Sequence, residues 1–410
     1  MEEFLQQSKN AMKTVATLGG SVKNKVLKQM AQALRENSNY ICEENNKDMK
    51  AGEKNELSSA LMDRLLLNED RVEGMASAIE QIAMLKEPVG RVHEGWIVDN
   101  GMKIEKVSVP IGVIGIIYES RPNVTSDTAA LCFKSGNVCI LKGGKEAEHS
   151  NKAIAKILQE VLIANDLPKE AVSLLPDSSR EGVANLIKQD KYVDLIIPRG
   201  GEALIKFVSS NATVPVVKHD KGLCHTFVDR EADITKALNV TLNAKCRRPG
   251  ICGAMETLLV DEEIAQEFLP RLVDKFKEYG TEFRGCELTR RVININKATD
   301  EDFDTEYLDN ILSIKVVSGV NEAINHIAKY GSDHSDAIIT ENYQTAETFL
   351  NSVDSACVYL NASTQFTDGG EFGFGAEVGI STNKLHARGP MGINELTTYK
   401  FKIYGNGQIR

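Results

Sequence analysis

The sequence lacks several features that would each indicate a particular class of protein. Among its 410 residues, no apolar run approaches the roughly 20 residues needed to span a bilayer. The first ten residues, MEEFLQQSKN, are acidic and polar and do not have the basic-then-apolar layout of a signal peptide. Basic residues are outnumbered, 48 against 58 acidic ones, and the net charge of −10 argues against a nucleic-acid binder. We therefore expect a cytoplasmic globular protein that engages neither membranes nor nucleic acids.

Patterns typical of metal binding and of disulfide scaffolds are also missing. The chain has eight cysteines but no CxxC and no zinc-type Cys/His spacing, which indicates thiols in a reducing compartment. His219 and His225 lie close together, but their spacing is no metal signature, and we predict no metal. The common dinucleotide fingerprint G-x-G-x-x-G is absent as well: Gly373, Gly375 and Gly379 come near it at the wrong spacing.

What is present begins with helices. A chain of 410 residues exceeds the usual size of one core, so two or three domains are expected. Its composition, 42% apolar and 26% charged, is ordinary for a folded protein. Residues 1–88 show apolar stripes at helical spacing, one over Val26–Leu34 and one over Val72–Ala83. This part of the chain is therefore predicted to be helical.

From Pro110 onward the pattern changes to alternating strands and helices. Continuous apolar runs, as in strands buried on both faces, are separated by helical periods, which favours a parallel sheet with right-handed crossovers. Because ligands bind at the carboxyl ends of such strands, the segments after them form one candidate rim. The predicted strands are Ile111–Ile117, Val138–Leu141, Val172–Leu175, Val193–Ile197 and Val214–Val217. The rim segments are Tyr118–Asn123, Lys142–Glu146 and Arg199–Gly201.

A second α/β unit is predicted from about Asp229 to Asn361 by the same alternation. Two strand-like segments lie outside both units. Arg91–Ser108 alternates around an Asn100-Gly101 pair, the strongest short-range signal for a hairpin. The tail is strand-like over Thr397–Tyr404 and has no local partner, so we expect it to pair with that hairpin. Such an edge is exposed unless it is covered, which suggests a subunit contact.

The segment NAKCRRPGICGAMETLL contains the strongest candidate for chemistry, Cys252. Small residues around it allow a ligand to approach the backbone, and Arg247 and Arg248 favour the thiolate, the reactive form of cysteine. The apolar run Met255–Val260 predicts a buried strand that supports this loop. The alternative is a cysteine that only packs, because free cysteines are among the most buried residues.

Several of these stretches together resemble the aldehyde dehydrogenase superfamily, in the family's order and over nearly the whole chain. The matching stretches are Val109–Asn123, Lys142–Glu146, Ile197–Gly201, Arg248–Cys252, Phe372–Glu377 and Leu385–Gly392. The resemblance implies an α/β fold with two parallel-sheet domains and a small β oligomerisation element. The dinucleotide-binding domain would take 1–90 and 110–228, the catalytic domain 229–365, and the oligomerisation hairpin and tail 91–109 and 366–410.

The activity that the resemblance implies is NADPH-dependent reduction of L-glutamyl 5-phosphate to L-glutamate 5-semialdehyde and phosphate, in proline biosynthesis. Cys252 would be the nucleophile that forms a thioester. Aldehyde-oxidising members activate water with a glutamate, and the matching position here is His219, which suits a reductase. The chain departs from the pattern at Gly253, where a larger polar residue, often Asn, is expected. The alternatives are an ordinary aldehyde dehydrogenase for another small aldehyde, or a non-catalytic nucleotide-binding scaffold.

Substrate contacts follow from the same resemblance. The backbone N–H of Cys252 and the side chain of Ser120 or Asn123 would stabilise the oxyanion; the alternative for both side chains is a cap on the next helix. Arg388 would bind an anionic group of the substrate through its guanidinium. Its alternative is a structural ion pair.

Cofactor contacts are expected on the rim and in the second unit. Lys142 and Lys145 would bind the 2′-phosphate of NADPH, and Glu306 would bind the nicotinamide ribose. Each contact has an alternative. The glycines beside Lys142 would then only turn the chain, and Glu306 would be a solvated glutamate at a helix end. Glu146 would start the next helix, where an acidic residue complements the dipole. The full set of expected cofactor residues is Lys142, Gly143, Lys145, Gly200, Gly201 and Glu306. Expected partners are the substrate, further copies of the chain as a dimer or tetramer, and functional coupling to a glutamate kinase.

Overall fold

The structure is a computed structural model that describes residues 1–218 and 221–410. The helices are α1 (Glu2–Val15), α2 (Gly20–Glu36), α3 (Ser38–Lys54), α4 (Ser59–Leu65), α5 (Glu69–Met84), α6 (Asn123–Lys134), α7 (Glu148–Ala164), α8 (Arg180–Leu186), α9 (Glu202–Asn211), α10 (Ile234–Cys246), α11 (Glu262–Phe276), α12 (Glu287–Val292), α13 (Asp300–Phe303), α14 (Val320–Tyr330) and α15 (Tyr343–Ser352). The strands are β1 (Val92–Ile97), β2 (Lys103–Pro110), β3 (Val113–Tyr118), β4 (Val138–Lys142), β5 (Val172–Leu174), β6 (Leu195–Arg199), β7 (Cys224–Val228), β8 (Met255–Asp261), β9 (Glu282–Gly285), β10 (Asn296–Lys297), β11 (Ile311–Val317), β12 (Ser335–Ile339), β13 (Cys357–Leu360), β14 (Gly379–Ser381), β15 (Gly389–Met391) and β16 (Thr397–Tyr404).

The chain divides into two compact units, each built from more than one segment. The first unit comprises Met1–Lys218, Gly373–Gly379 and Met391–Arg410. The second comprises His219–Phe372 and Ile380–Pro390. A domain that returns to an earlier segment late in the chain leaves no trace in local periodicity, because the contacts that define it are between residues far apart in sequence.

Helices predominate in the N-terminal part of the first unit. α2 and α5 pack against each other through fully buried side chains such as Leu27, Met30 and Ile79. These side chains belong to the two apolar stripes of the sequence, so the helical prediction for this segment is confirmed. In the part of the chain that the structure describes, no helix combines the length and the apolar character that crossing a membrane requires.

The first unit contains a four-stranded parallel sheet in the order β5-β4-β3-β6. All six residues of β3 are buried, as the continuous apolar run predicts. The strand predicted at Val214–Val217 is wrong, because Val216 makes only an isolated bridge to Ile196. Pro215 explains this result, since a proline has no N–H with which to extend a ladder.

The second unit contains a seven-stranded parallel sheet in the order β10-β9-β11-β8-β7-β12-β13. Its central strand β8 is buried along its whole length, and α11 covers it with Phe268, Leu269 and Leu272. β7 pairs with β8 and β12 in this sheet. The expected boundary at residue 228 is therefore placed too late: the strand Cys224–Val228 belongs to the second unit.

The predicted hairpin forms as β1 and β2, which are antiparallel. Its turn closes with a 2.8 Å hydrogen bond from Gly101 N to the carbonyl of Val98, and Gly101 has a φ of +83° that suits glycine. β16 pairs antiparallel with β2 from Thr397 opposite Pro110 to Tyr404 opposite Lys103. The expected pairing between the tail and the hairpin is therefore confirmed within one chain, and its expected extension between subunits stays a prediction.

Candidate active site

Cys252 lies in the loop between α10 and β8, and its side chain is half-buried. Thr364 Oγ1 donates a hydrogen bond of 2.7 Å to the carbonyl of Gly253. The amide of Gln365 donates one of 3.3 Å to the carbonyl of Arg248. The loop is thus bonded on both sides of the thiol by one neighbouring segment, while the thiol remains partly accessible.

The backbone of Cys252 is also held from the start of β7. A Cβ at Gly222 would lie only 2.5 Å from Cys252 Cα, so no larger residue fits beside the loop. Cys224 Sγ donates to the carbonyl of Cys252 at 3.1 Å. Cys224 is completely buried, and burial raises the pKa of its thiol well above the usual range. Of these two thiols, Cys252 is therefore the one suited to react.

Gly253, Arg247 and Arg248 are the neighbours of Cys252 for which the sequence made predictions. A Cβ at Gly253 would come within 3.1 Å of the carbonyl oxygen of Thr364, so the small residue matches the close approach of that segment. Arg247 and Arg248 are exposed, and Arg247 donates to the amide oxygen of Gln365 at 3.4 Å. Positive charge therefore lies on the same short loop as the thiol, as the sequence predicted.

Glu306 lies three residues beyond the end of α13 and is half-buried. Its carboxylate accepts a hydrogen bond of 2.9 Å from the backbone N–H of Gly222, the residue that touches Cys252. A solvated helix-end glutamate would have neither this burial nor this partner, so that alternative is wrong. The structure brings Glu306 next to the Cys252 loop within the same unit.

Arg388 precedes β15 and is bonded by Asp354. Its guanidinium donates to Asp354 Oδ1 at 2.7 Å and to the carbonyl of Asp354 at 2.6 Å. Lys384 contacts the same carboxylate. This geometry is the structural ion pair that the sequence left as the alternative, but the buried Nε–H of Arg388 has no hydrogen-bond partner among the described residues.

Ser120 and Asn123 follow β3 in the first unit, and neither caps α6. The first residue before that helix is Pro122, and no side chain caps its N-terminus. Ser120 donates both its N–H (2.7 Å) and its hydroxyl (2.6 Å) to the Glu146 carboxylate. The amide of Asn123 donates to Asp127 at 3.0 Å, and burial raises the pKa of this carboxyl to about 6. The helix-cap alternative is therefore wrong for both.

The turn after β4 contains the expected 2′-phosphate residues. Lys145 is exposed, while Lys142 is half-buried, and burial lowers its pKa. A side chain at Gly143 would collide with the amide of Asn151, so close packing explains why this position is a glycine. Burial alone would raise the pKa of Glu146, but the hydrogen bonds from Ser120 outweigh it and hold the pKa below its usual range.

The segment after β6 leads through Gly200 and Gly201 into α9. Glu119, on the neighbouring β3 segment, accepts a hydrogen bond of 2.9 Å from Gly201 N. Its carboxylate would lie 2.6 Å from a Cβ at Gly200. An anionic oxygen therefore already occupies the start of a ten-residue helix, which is the chemistry that a cofactor phosphate would bring. The contacts of Ser120 with Glu146 and of Glu119 with Gly201 confirm that the three predicted segments share one rim.

The structure adds no metal site to this picture. Among residues 1–218 and 221–410, no group of three or more His, Cys, Asp or Glu side chains is arranged to hold a metal ion. His219, which matches the position of the water-activating glutamate, lies outside the described residues. The eight cysteines all lie within the described chain, and no disulfide joins them.

Comparisons with known proteins agree with this geometry. The model of the aldehyde dehydrogenase family matches residues 1–284. Gamma-glutamyl phosphate reductases from Nautilia profundicola and Sulfurimonas denitrificans are 67% and 66% identical over 410 residues, 100% of each chain. The solved structure of gamma-glutamyl phosphate reductase from Thermotoga maritima has a TM-score of 0.98 at 48% identity, covering 100% of this chain and 99% of that one. An acetylating aldehyde dehydrogenase from Geobacillus thermoglucosidasius has a TM-score of 0.70 at 17% identity and shows the shared fold.

The fold and the site thus define a member of the aldehyde dehydrogenase family, and within it the chain belongs to the gamma-glutamyl phosphate reductases. It is an oxidoreductase of a family that uses a nicotinamide cofactor. The resemblance and the fold class stated from sequence motifs are confirmed.

Sequence reasoning missed a group of residues that support the site. They lie on helices, strands and loops, and what each of them supports depends on contacts that the sequence does not show. One signal was available: Glu256 is a carboxylate inside the otherwise apolar run Met255–Val260, where an unpaired charge would be very costly. The missed residues are Glu119, Asp127, Cys224, Lys245, Glu256, Thr364 and Gln365.

Proposed function

We propose that this protein reduces L-glutamyl 5-phosphate to L-glutamate 5-semialdehyde and phosphate in proline biosynthesis, with Cys252 as nucleophile. The observation that supports this proposal most directly is the half-buried Cys252 on a loop whose backbone accepts hydrogen bonds from Cys224 and Thr364. The names of the full-length relatives support the substrate. A cytoplasmic location stays a prediction.

The chemistry follows from an acyl phosphate being already activated. The Cys252 thiolate attacks the carbonyl carbon, a carbon–sulfur bond forms, and the carbon–oxygen bond to phosphate breaks with its electron pair leaving on phosphate. A nicotinamide cofactor, when bound, would supply the hydride that reduces the thioester carbon. The resulting thiohemiacetal oxyanion reforms its carbonyl, which expels the thiolate and releases the aldehyde. The backbone N–H of Cys252 is one proposed donor to the oxyanions in this sequence.

The second oxyanion donor is proposed to be Asn123 rather than Ser120. Both hydrogen-bonding groups of Ser120 are committed to the Glu146 carboxylate. Asn123 is exposed, and its amide has two N–H groups, of which one suffices for Asp127. Arg388 stays a proposed contact for an anionic group of the substrate, beside its pair with Asp354, because its buried Nε–H has no hydrogen-bond partner in the part of the chain that the structure describes.

NADPH is the proposed cofactor. Lys142 and Lys145 supply two ammonium groups on the turn after β4, and the carboxylate of Glu146 is taken up by Ser120. The start of α9 at Gly201 favours an anion, but the Glu119 carboxylate already accepts from Gly201 N, so a cofactor phosphate there would have to displace it. Glu306 is proposed to bind the nicotinamide ribose, since its carboxylate lies beside the nucleophile loop through Gly222.

The assay that tests this function runs the reaction backwards, because the acyl phosphate is short-lived. Semialdehyde, NADP and inorganic phosphate should give NADPH, and omission of phosphate should abolish the signal. Turnover without phosphate would instead identify an ordinary hydrolysing aldehyde dehydrogenase. No turnover under either condition would favour a nucleotide-binding scaffold. The short life of the substrate also motivates the proposed coupling to a glutamate kinase.

Assembly as a homo-oligomer, a dimer or a tetramer, is proposed from the three-stranded sheet. All residues of β1 are exposed, and apolar side chains such as Trp96, Ile97 (73% exposed), Phe401 and Ile403 (60% exposed) lie at its surface. Apolar exposure of this extent is typical of an interface. Deleting Ile403–Arg410 should lower the mass in solution, as measured by light scattering. An unchanged mass would show that the tail is not the contact.

A further inference from the structure

A buried ion pair closes the loop that contains Cys252. Lys245, in the last turn of α10, contacts Glu256, in β8, with 2.6 Å between Nζ and Oε2. The side chains are 0% and 1% exposed, respectively. The pair joins the two residues that flank the loop, one at the end of the helix and one at the beginning of the strand. Both ends of the Cys252 loop are therefore anchored in the core by charged side chains that have no access to water.

The second oxygen of Glu256 binds a different segment. Glu256 Oε1 accepts a hydrogen bond of 3.2 Å from the backbone N–H of Leu308. Leu308 has a φ of +52°, a left-handed conformation that is unfavourable for leucine and needs support from its surroundings. Two residues earlier, Glu306 bonds Gly222, whose Cα packs on the backbone of Cys252. One carboxylate thus connects the Cys252 loop with the Glu306 segment.

Stability alone is a poor explanation for this pair. Removing two charges from water is costly, and well-packed apolar residues in place of a buried pair are often as stable or more stable. A buried pair does specify one arrangement, because any other leaves a charge without its partner. The surrounding apolar residues, such as Met255 and Leu258, would tolerate several packings.

We propose that Lys245 and Glu256 are positioning residues that hold the Cys252 loop and the Glu306 segment in one fixed arrangement, an inference that rests on the proposed nucleophilic role of Cys252. Neither residue touches the substrate. Their effect is on where the thiol and the Glu306 carboxylate lie before the reaction, and a displacement of about 1 Å can lower turnover about a hundredfold.

The test compares single and double apolar substitutions. Lys245→Met and Glu256→Gln each leave one buried group without its partner, and we expect both to lower the melting temperature and kcat. Lys245→Met/Glu256→Met removes both charges, and we expect it to recover the melting temperature. Its kcat should stay at least about tenfold below wild type with KM within about twofold, because the unique arrangement is lost.

Alkylation of Cys252 by iodoacetamide, followed over a pH series in the ligand-free protein, supplies a readout that a structural role would not move. The double variant should alkylate with a shifted pH profile. The matched control is Glu87→Gln, which breaks a pair with the buried Lys23 in the other unit and should lower stability without changing the profile. A double variant with wild-type melting temperature, kcat and alkylation profile would overturn the proposal.

Two further outcomes keep the inference separate from the proposed function. If the double variant does not fold, Glu256→Gln alone decides: a wild-type alkylation profile in that variant overturns the positioning role. If fully alkylated wild-type protein still turns over, the nucleophilic role of Cys252 is wrong, and the positioning role for it falls with it. If alkylation abolishes turnover of the wild type, but Glu256→Gln and the double variant both alkylate with the wild-type pH profile, only the positioning role is overturned.

Discussion

The loop that contains Cys252 and the turn that contains Lys142 and Lys145 are held in different ways. The Cys252 loop is bonded by partners with little or no access to water, among them Cys224 and Thr364. The turn after β4 is partly exposed and is connected to the neighbouring segment through the carboxylate of Glu146. A nucleophile must be in place before its bond forms, whereas a cofactor must enter and leave in every cycle. The difference in burial therefore matches the difference between the two proposed tasks.

The largest effect is expected from replacing the nucleophile itself. Cys252→Ser should lower kcat by at least about a thousandfold while cofactor binding is kept, because a hydroxyl without an adjacent base is a poor nucleophile. Cys246→Ser, the same change at the end of α10, is the matched control and should stay near wild type. Steady-state kinetics and cofactor titration by fluorescence measure the two properties. Turnover of Cys252→Ser within about tenfold of wild type, a barrier change of about 1.4 kcal/mol, would contradict the thioester.

Moving the nucleophile without replacing it is expected to have the next largest effect. Gly222→Ala places a methyl group 2.5 Å from Cys252 Cα, so the loop must shift, and kcat should fall about a hundredfold. Gly250→Ala is the control from the same loop, since its nearest neighbour would be the carbonyl of Leu308 at 3.5 Å. A normal kcat in Gly222→Ala would show that the position of this loop matters less than its burial suggests.

On the cofactor turn, Lys145→Ala should narrow the preference for NADPH over NADH by about ten- to hundredfold, the equivalent of one charge-assisted contact of roughly 1.5–3 kcal/mol. Comparing kcat/KM for the two cofactors measures this preference. Lys152→Ala removes an exposed lysine of α7 that pairs with Glu148, and it should leave the preference unchanged. A wild-type preference for NADH would contradict the proposed 2′-phosphate site.

Burial in the second unit also predicts a pH dependence of stability. His326 packs against Phe303, Tyr330 and His225, and burial lowers its pKa to about 2. Below about pH 6.5 the unfolded chain binds a proton there that the folded chain does not, so the free energy of unfolding falls by up to about 1.4 kcal/mol per pH unit as the pH drops. Above about pH 6.5 this contribution to stability is complete.

His326→Phe should remove this slope between about pH 4 and 6 in a series of urea titrations, because phenylalanine does not titrate. The exposed His149→Gln is the control and should leave the slope unchanged. An equal slope in His326→Phe and wild type would show that other groups cause the acid sensitivity.

The smallest effect is expected at Arg388. If its only task is the pair with Asp354, Arg388→Ala and Asp354→Ala should each change stability little and leave KM for the substrate within about twofold. The two variants are matched controls for each other. A KM that rises in Arg388→Ala but not in Asp354→Ala would support the anion-binding role that the sequence suggested.

Some structural predictions needed only local sequence. The alternation around Asn100 and Gly101 specified a hairpin, since this pair suits the turn on its own. The apolar run that became β8 was likewise recognisable as a buried strand. The strand expected at Val214–Val217 does not form, because Pro215 has no N–H with which to extend a ladder.

For the site, motifs were sufficient to identify residues but not their partners. Cys252 was identified by its neighbours in sequence. Nothing in sequence indicated that Ser120 would bond Glu146 or that Arg388 would bond Asp354, because these partners are 26 and 34 residues away. For Ser120 and Asn123 the tertiary contacts exclude the helix cap, whereas the oxyanion role of either side chain and the substrate role of Arg388 stay predictions.

The sequence by itself determined the class of fold, the family and the identity of the candidate nucleophile, because periodicity and short motifs are properties of adjacent residues. Only the tertiary structure decided which groups contact the loop of that candidate: Lys245 with Glu256, Cys224, and Gly222 with Glu306. These contacts join residues that are distant along the chain. Their energies depend on burial and on distances of a few ångströms, and both exist only once the chain has folded.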